Sequence, residues 1–384
     1  MESVVPLAGA GSDPVAVAAV SPAPCLPDYP RSVAAIVPAL LGTTDAAWLA
    51  EPARDAAAVV LLVLDGLGWR AFTDAPDSLR HLATFAGGPI TTVLPATTSA
   101  ALTSITTGHP PAAHGVTGYR MLVDDEVLNV LRWQHEAKGV RPPEPSDVQR
   151  LTPFLGRSVP VVAQAEHRGS GFTGAHLRGA PFVGWRTTSV LVEQCRRLVS
   201  AGNRLVYAYY PGVDEVAHEF GLHDGAYAGE LAFVDDLVAR LQSVLPADTA
   251  LVVTADHGQT HLEPEAWVEL DDIATLVARQ AGDARFRHLY AVRGANRELA
   301  AAARDRFGGV AWVRTRKELL AEGWLGAGAA GPVPGRIGDV VLAPFAEIGF
   351  VDPALPRERG LRSAHGAPTE NEVRVPLLAA RGTA

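Results

Sequence analysis

Three apolar runs in the sequence end in an aspartate. "AAVVLLVLDG" closes on Asp65, "NRLVYAYYPGVD" on Asp214 and "TALVVTADHG" on Asp256. Histidines stand close by. His218 follows Asp214 by four residues in "DEVAH", His257 directly follows Asp256, and His365 precedes a glycine in "RSAHGAPTENEVRVPLL". Carboxylates and imidazoles together can hold a divalent metal, and the mixture suits zinc as well as iron or manganese. Each piece also has an ordinary reading. An isolated Asp-Gly is a turn, and an Asp/His pair four apart is a surface pair on a helix. Asp256 and His257 are neighbours on a strand, so both reach one ion only where the backbone turns, which Gly258 permits.

A second stretch carries hydroxyls and no charge: "TTVLPATTSAALTSITTG", residues 91–108. "SAALTSITT" followed by Gly108 reads as a helix. A hydroxyl at its N-terminus would face unpaired N–H groups and the positive end of the helix dipole. Thr97 and Ser99 are candidate caps. Thr103, Ser104 and Thr106 are expected to bond locally along the helix. His109, His114 and His261 lie near these motifs as orienting or capping groups.

The aspartates need a frame that brings strand ends together. Continuous apolar strands, buried on both faces, are expected at 57–66, 203–214 and 249–258. Helical patterns at 187–202 and 226–245 lie between them. Alternation of strand and helix gives an α/β class with a mainly parallel sheet, and such sheets bind ligands beyond the carboxyl ends of their strands. Residues 1–30 read as an extended, proline-rich arm. Residues 266–345 break the pattern with strand, helix, strand, helix, and read as an inserted α/β subdomain. Residues 31–265 and 346–384 are left as the core, and "GAGAAGPVPG" is a turn-rich connector.

Composition narrows the function. The chain has 384 residues, 48% of them hydrophobic, enough for a large core. Its formal net charge of −9 and lack of a basic run give no footprint for sequence-specific nucleic-acid binding. Two cysteines outside any CxxC pattern disfavour a cysteine-zinc site and read as free thiols. The N-terminus has no basic residue before Arg31, unlike a signal peptide, and no segment has the apolar length of a membrane span. The expectation is a cytoplasmic protein without membrane association. Oligomeric state is not legible.

Five stretches in order carry a resemblance: "VLLVLDGLG", "LPATTSAALTSITTGHPPAAHGV", "YYPGVDEVAHEFG", "VVTADHGQT" and "SAHGAPTENEVRVPLL". Spanning 60–378, they resemble the alkaline phosphatase superfamily, specifically its nucleotide pyrophosphatase/phosphodiesterase branch. The resemblance implies an alkaline phosphatase-like mainly parallel sheet flanked by helices, with the small insert near the active site. It implies two divalent metal ions, zinc first and manganese or iron as alternatives. One would be held by Asp214, His218 and His365, the other by Asp65, Asp256, His257 and the nucleophile Thr98. Thr98 would attack phosphorus to give a phosphothreonine, with the backbone N–H of Ser99 helping to hold a phosphate oxygen. The substrate would be a small phosphate ester or nucleotide, with a diester or nucleotide pyrophosphate bond as the first expectation. Many members of that branch carry an asparagine three residues after the nucleophile; here the position is Ala101. That departure keeps a phosphomonoesterase, phosphonate hydrolase or phosphotransferase open, and from another class a metal-binding protein with little turnover. The Cys-x-Pro-x-Arg core of sulfatases is absent from the sequence, which disfavours sulfate esters.

Overall fold

The computed structural model describes residues 21–384. Its central sheet has seven strands: β1 (Ala58–Leu64), β2 (Ala86–Thr91), β3 (Val161–Gln164), β4 (Phe182–Trp185), β5 (Leu205–Tyr210), β6 (Thr249–Thr254) and β7 (Arg374–Arg381). Their spatial order is β2-β7-β6-β1-β5-β3-β4. The run β6-β1-β5-β3-β4 is parallel, and β7 is antiparallel to β6 and β2. The mainly parallel α/β class therefore holds. β1 and β6 sit at the centre, and their near-continuous apolar sequence matches burial on both faces.

Register places the chemistry. Val63 pairs with Thr254 on one side and Tyr209 on the other. The carboxyl ends of β6, β1 and β5 thus lie side by side. β7 runs the other way, so the chain preceding it reaches the same edge, where Arg374 pairs with Thr91 at the end of β2. Asp65, Asp256, His365 and the segment after β2 are all delivered there. The apolar run expected to end at Asp214 stops as a strand at Tyr210, and Asp214 instead opens helix α3 (Gly212–Phe220). Other helices include α1 (Thr98–Thr107), α2 (Thr188–Ser200) and α4 (Gly225–Val244). Gly108 ends α1 at φ 73°, the left-handed value that favours glycine in this place.

A four-stranded antiparallel sheet occupies residues 277–344, in the order Val277–Asp283, Phe286–Ala291, Val340–Pro344, Ala311–Thr315. The helix Asn296–Phe307 packs on it, burying Leu299 and Phe307 beside Leu289 and Leu342. The region opens with a hairpin rather than with one strand. Val277–Asp283 escapes the sequence pattern because it has no continuous apolar run and exposes Ala278 and Arg279. A three-stranded sheet, Arg120–Val123, Glu126–Asn129 and Gln134–His135, completes the surroundings of the site.

Of the N-terminal arm, residues 1–20 lie outside the described residues. Residues 21–28 form no regular element and reach from the four-stranded sheet to the segment before β7. The Trp312 indole donates to Pro22 O at 2.7 Å, and Cys25 N donates to Pro368 O at 2.8 Å. Cys25 and Cys195 are unbridged. No helix of the described residues is long and apolar enough to cross a membrane.

Candidate active site

Two groups of side chains meet at the sheet edge. Asp65, Asp256 and His257 bring one donor atom each within 4.8 Å of one another, and Asp214, His218 and His365 do the same. The groups abut, because the rings of His257 and His365 stack with centroids 3.6 Å apart. His218 and Asp214 share a face of α3, with His218 Nε2 3.3 Å from Asp214 Oδ2. His257 shares its cluster with Asp256 because β6 ends at Thr254 and the backbone turns after it. Gly258 serves that turn through close approach. A Cβ there would lie 2.0 Å from Asn371 O.

Each imidazole is fixed in one tautomer. Nδ1–H of His218 donates to Ser363 O (2.8 Å), that of His257 to Gly258 O (3.1 Å) and that of His365 to Ala96 O (2.9 Å). All three Nε2 lone pairs are thereby left to point at the clusters, the arrangement of metal-ligating histidines. The carboxylates fit as well. Asp65 Oδ1 and Asp256 Oδ2 are buried with no hydrogen-bond partner. An orphaned buried carboxylate oxygen is costly unless a cation sits against it.

The electrostatics agree with that donor set. Burial, then the charges of Asp256 and Asp214, push the Asp65 carboxyl well above the usual carboxylate range. Asp256 is raised as well, chiefly by burial. Burial, then His257 and His218, hold His365 well below the usual histidine value, so its imidazole is neutral.

Thr98 opens α1 and is almost buried. Its hydroxyl lies 3.1 Å from His257 Nε2 and so donates to that lone pair. The N–H groups of Thr98, Ser99 and Ala100 have no acceptor among the described residues. Thr97 holds the cap position but makes no cap bond; its hydroxyl donates to Asp283 Oδ1 at 3.0 Å. Nor does Ser99 cap, since its buried hydroxyl is unpartnered. Thr103 and Thr106 bond back to Ser99 O and Leu102 O, as expected of hydroxyls within a helix. Ser104 differs, pairing with His114 Nε2 at 2.8 Å. His109 pairs with Thr107 O, and His261 accepts from Leu222 N; neither joins a cluster.

Two cavities open from Thr98. A cleft of about 570 Å³ is lined by Thr97, Tyr119, His218, Asp283 and His365. A second, of about 240 Å³, touches Asp65 and Asp214 and is walled by Leu131, His167, Phe172, Phe182 and Tyr209. A larger groove beside Asp28, Trp48 and Pro110 holds none of the clustered residues. Of the insert, only Asp283 and Ala284 line the first cleft; its outer wall is the 354–361 loop, read from sequence as core.

Three contacts lay outside the sequence reading. The Tyr209 hydroxyl donates to Asp65 Oδ2. The Gln259 amide donates to Asp214 Oδ1 while its carbonyl accepts from Ser363 Oγ at 3.1 Å. Asp283 reaches Thr97 from the insert. Tyr209 and Gln259 sit inside the quoted motifs, one at a strand end and one directly after "DHG". Their positions were the available signal.

Several solved structures share the fold. Murine ectonucleotide pyrophosphatase/phosphodiesterase 5 is 16% identical over 85% of this chain and 88% of its own, with a TM-score of 0.66. An inactive threonine-to-alanine variant of that murine protein, in complex with AMP, is 15% identical over 83% and 87%, with a TM-score of 0.64. Phosphonoacetate hydrolase from Sinorhizobium meliloti 1021, in complex with phosphonoformate, is 18% identical over 85% and 90%, with a TM-score of 0.61. No curated protein matches the sequence. The family described as type I phosphodiesterase / nucleotide pyrophosphatase does match, over residues 59–197 and 183–367, and the chain belongs to it.

Proposed function

We propose that the chain hydrolyses phosphodiester or nucleotide-pyrophosphate bonds at a two-metal site, by way of a phosphothreonine on Thr98. One observation carries this: the Thr98 hydroxyl stands at the open N-terminus of α1, beside two abutting sets of metal-type ligands. Asp65, Asp256, His257 and Thr98 would hold one ion, and Asp214, His218 and His365 the other. The unpaired oxygens of Asp65 and Asp256 and the three unprotonated Nε2 atoms fit that occupancy. Two divalent cations, zinc or alternatively manganese or iron, would supply positive charge to the nucleophile and to the phosphoryl oxygens.

The chain's own residues do the rest. Thr98 Oγ bonds to phosphorus as the bond to the leaving oxygen breaks; its proton passes to solvent in the cleft, and the leaving group departs with the electron pair of the broken bond and takes up a proton from water. Ser99 N–H and Ala100 N–H are donors for a phosphoryl oxygen at the helix N-terminus. Water then cleaves the phosphothreonine and restores the hydroxyl. The small cavity offers Phe172, Phe182 and Tyr209 as apolar and aromatic surface for the organic part of the ester. An AMP complex of a protein of the same fold supports a nucleotide substrate.

Ala101 favours a second reading. It is buried and brings no amide to the phosphate, and a phosphonoacetate hydrolase shares the fold. A monoester, phosphonate or phosphotransfer substrate follows from that reading. Turnover of bis(p-nitrophenyl) phosphate, p-nitrophenyl phosphate and phosphonoacetate, with and without chelator, separates the two. The expected result is chelator-sensitive turnover, fastest on the diester. Thr98→Ala should lower it at least about 10³-fold while metal stays bound. Faster monoester or phosphonate cleavage supports the second reading. Metal binding with no turnover of any ester, or full activity in Thr98→Ala, sinks the phosphothreonine mechanism.

A further inference from the structure

Thr97 has what an N-cap needs. Its backbone is extended (φ −141°, ψ 146°), it precedes the first residue of α1, and threonine is a favoured capping residue. A capping hydroxyl accepts from the second or third N–H of the helix, here Ser99 or Ala100. Neither bond forms. The hydroxyl turns instead to Asp283, the last residue of the strand Val277–Asp283 in the inserted sheet. Asp283 Oδ2 also accepts from Tyr119 N at 3.4 Å. Both partners are buried, Thr97 at 2% and Asp283 at 7% exposure, so water does not compete for the bond. Burial raises the Asp283 carboxyl to about 6, against the pull of Thr97 and Tyr119, which leaves it ionised at neutral pH. Thr97, Thr98 and Asp283 line one cleft.

We infer that Asp283 is a positioning residue that draws the Thr97 hydroxyl off the helix N-terminus and so reserves the Ser99 and Ala100 N–H groups for a phosphoryl oxygen. The inference rests on the phosphoryl-transfer reading for the identity of the anion. It gives the insert a task at the nucleophile, although it contributes only Asp283 and Ala284 to the cleft wall. With alanine at 101, no side-chain amide shares the load on those N–H groups.

The test uses metal-loaded full-length protein titrated calorimetrically with inorganic phosphate, alongside kinetics on bis(p-nitrophenyl) phosphate. Asp283→Ala frees the Thr97 hydroxyl to cap α1. Phosphate binding should weaken about fivefold, the scale of one cap bond, and kcat/KM should fall in parallel. Asp283→Leu, which fills the space left by the carboxylate, should do the same and serves if the alanine variant is unstable. Asp283→Asn keeps an oxygen that accepts from Thr97, so it should retain most of the affinity. The discriminating variant is Asp283→Ala with Thr97→Val, which has no hydroxyl left to cap with and should regain most of the loss. Undiminished phosphate affinity in Asp283→Ala or Asp283→Leu overturns the inference. A double variant no better than Asp283→Ala overturns it too, because a packing defect is not repaired by a second substitution. Wild-type protein that binds no phosphate removes both this inference and the reading beneath it. Full turnover in Thr98→Ala removes only the nucleophile, and the phosphate affinities still decide the role of Asp283.

Discussion

The two ligand clusters are built from the same residue types in different surroundings. Asp65, Asp256 and His257 are 3%, 0% and 0% exposed. The side chains of Asp214 and His218 are 15% and 22% exposed and face the larger cleft. In the buried cluster two carboxylate oxygens have no partner at all. In the open cluster Asp214 is held by Gln259, and water reaches its edge. A carboxylate out of water needs a proton or a cation; one at a cleft has solvent as a third choice. On the two-metal reading, the buried cluster would depend on its ion for stability, while the open cluster would be free to trade ligands with a substrate.

Metal removal is the strongest way to break that contrast. A ligand bound only by the folded state at 100 times its Kd stabilises by about 2.7 kcal/mol, roughly 3 °C in a protein of this size. Melting curves at increasing chelator should show two phases. The open cluster should release its ion first with a small loss, and the buried cluster second with the larger one. Asp214→Asn with His365→Ala should delete the first phase and leave the second, with elemental analysis falling from two ions to one. Simultaneous loss of both ions at every chelator concentration would contradict the division.

Protons probe the buried cluster directly. Asp65 has its pKa raised in the metal-free fold by burial and by its neighbours Asp256 and Asp214. A carboxyl raised on folding binds more protons in the native state, so the native state loses stability as pH climbs. The loss begins near the unfolded value of about 4 and continues up to the raised native value. Asp65 should therefore lower the melting temperature of the metal-free protein progressively as pH rises from 4 towards neutrality, against the buried His114, His176 and His288, whose lowered pKa values favour the fold over the same range. Asp65→Asn should flatten that slope and make the metal-free protein more stable than wild type at pH 8, while abolishing the metal-dependent gain. A metal-free wild type whose stability does not fall relative to Asp65→Asn over the same range would refute the assignment.

How far these arguments were legible in the sequence differs residue by residue. Asp65 and Asp256 end apolar runs that become central parallel strands, so both their element and their edge could be read. Asp214 and His218 were legible as a helical pair through their spacing of four. β3 and β4 have four residues each, too short for a periodic pattern, and β7 hides its antiparallel course because pairing direction leaves no mark in composition. Thr98 stood out only through its neighbours' resemblance to a family; among many hydroxyls, residue type alone selects none. Asp283 was invisible. Its partner Thr97 is 186 residues away, and its strand has no continuous apolar run, with Ala278 and Arg279 exposed. Contacts of that range are made by packing, which no local spacing encodes.

The smallest expected effect belongs to Gln259, and it sharpens the contrast most. Gln259 is 5% exposed and locked from both ends. Its carbonyl accepts from Ser363 Oγ, so its amide must face Asp214 Oδ1. Ser363 O in turn accepts from His218 Nδ1. One short chain of hydrogen bonds thus orients two of the three ligands in the open cluster. Removing such an outer support costs roughly tenfold or more in metal affinity. Gln259→Met keeps the volume and deletes the donor. Metal titration should show the weaker site lose about tenfold while the tighter site is unchanged, and only the first chelation phase should move. Gln259→Glu should weaken the same site further, because it sets a fourth carboxylate against Asp214 where a donor had been. Equal weakening of both sites by Gln259→Met would mean that the stacked His257 and His365 rings bind the clusters into one unit, and that burial does not divide them.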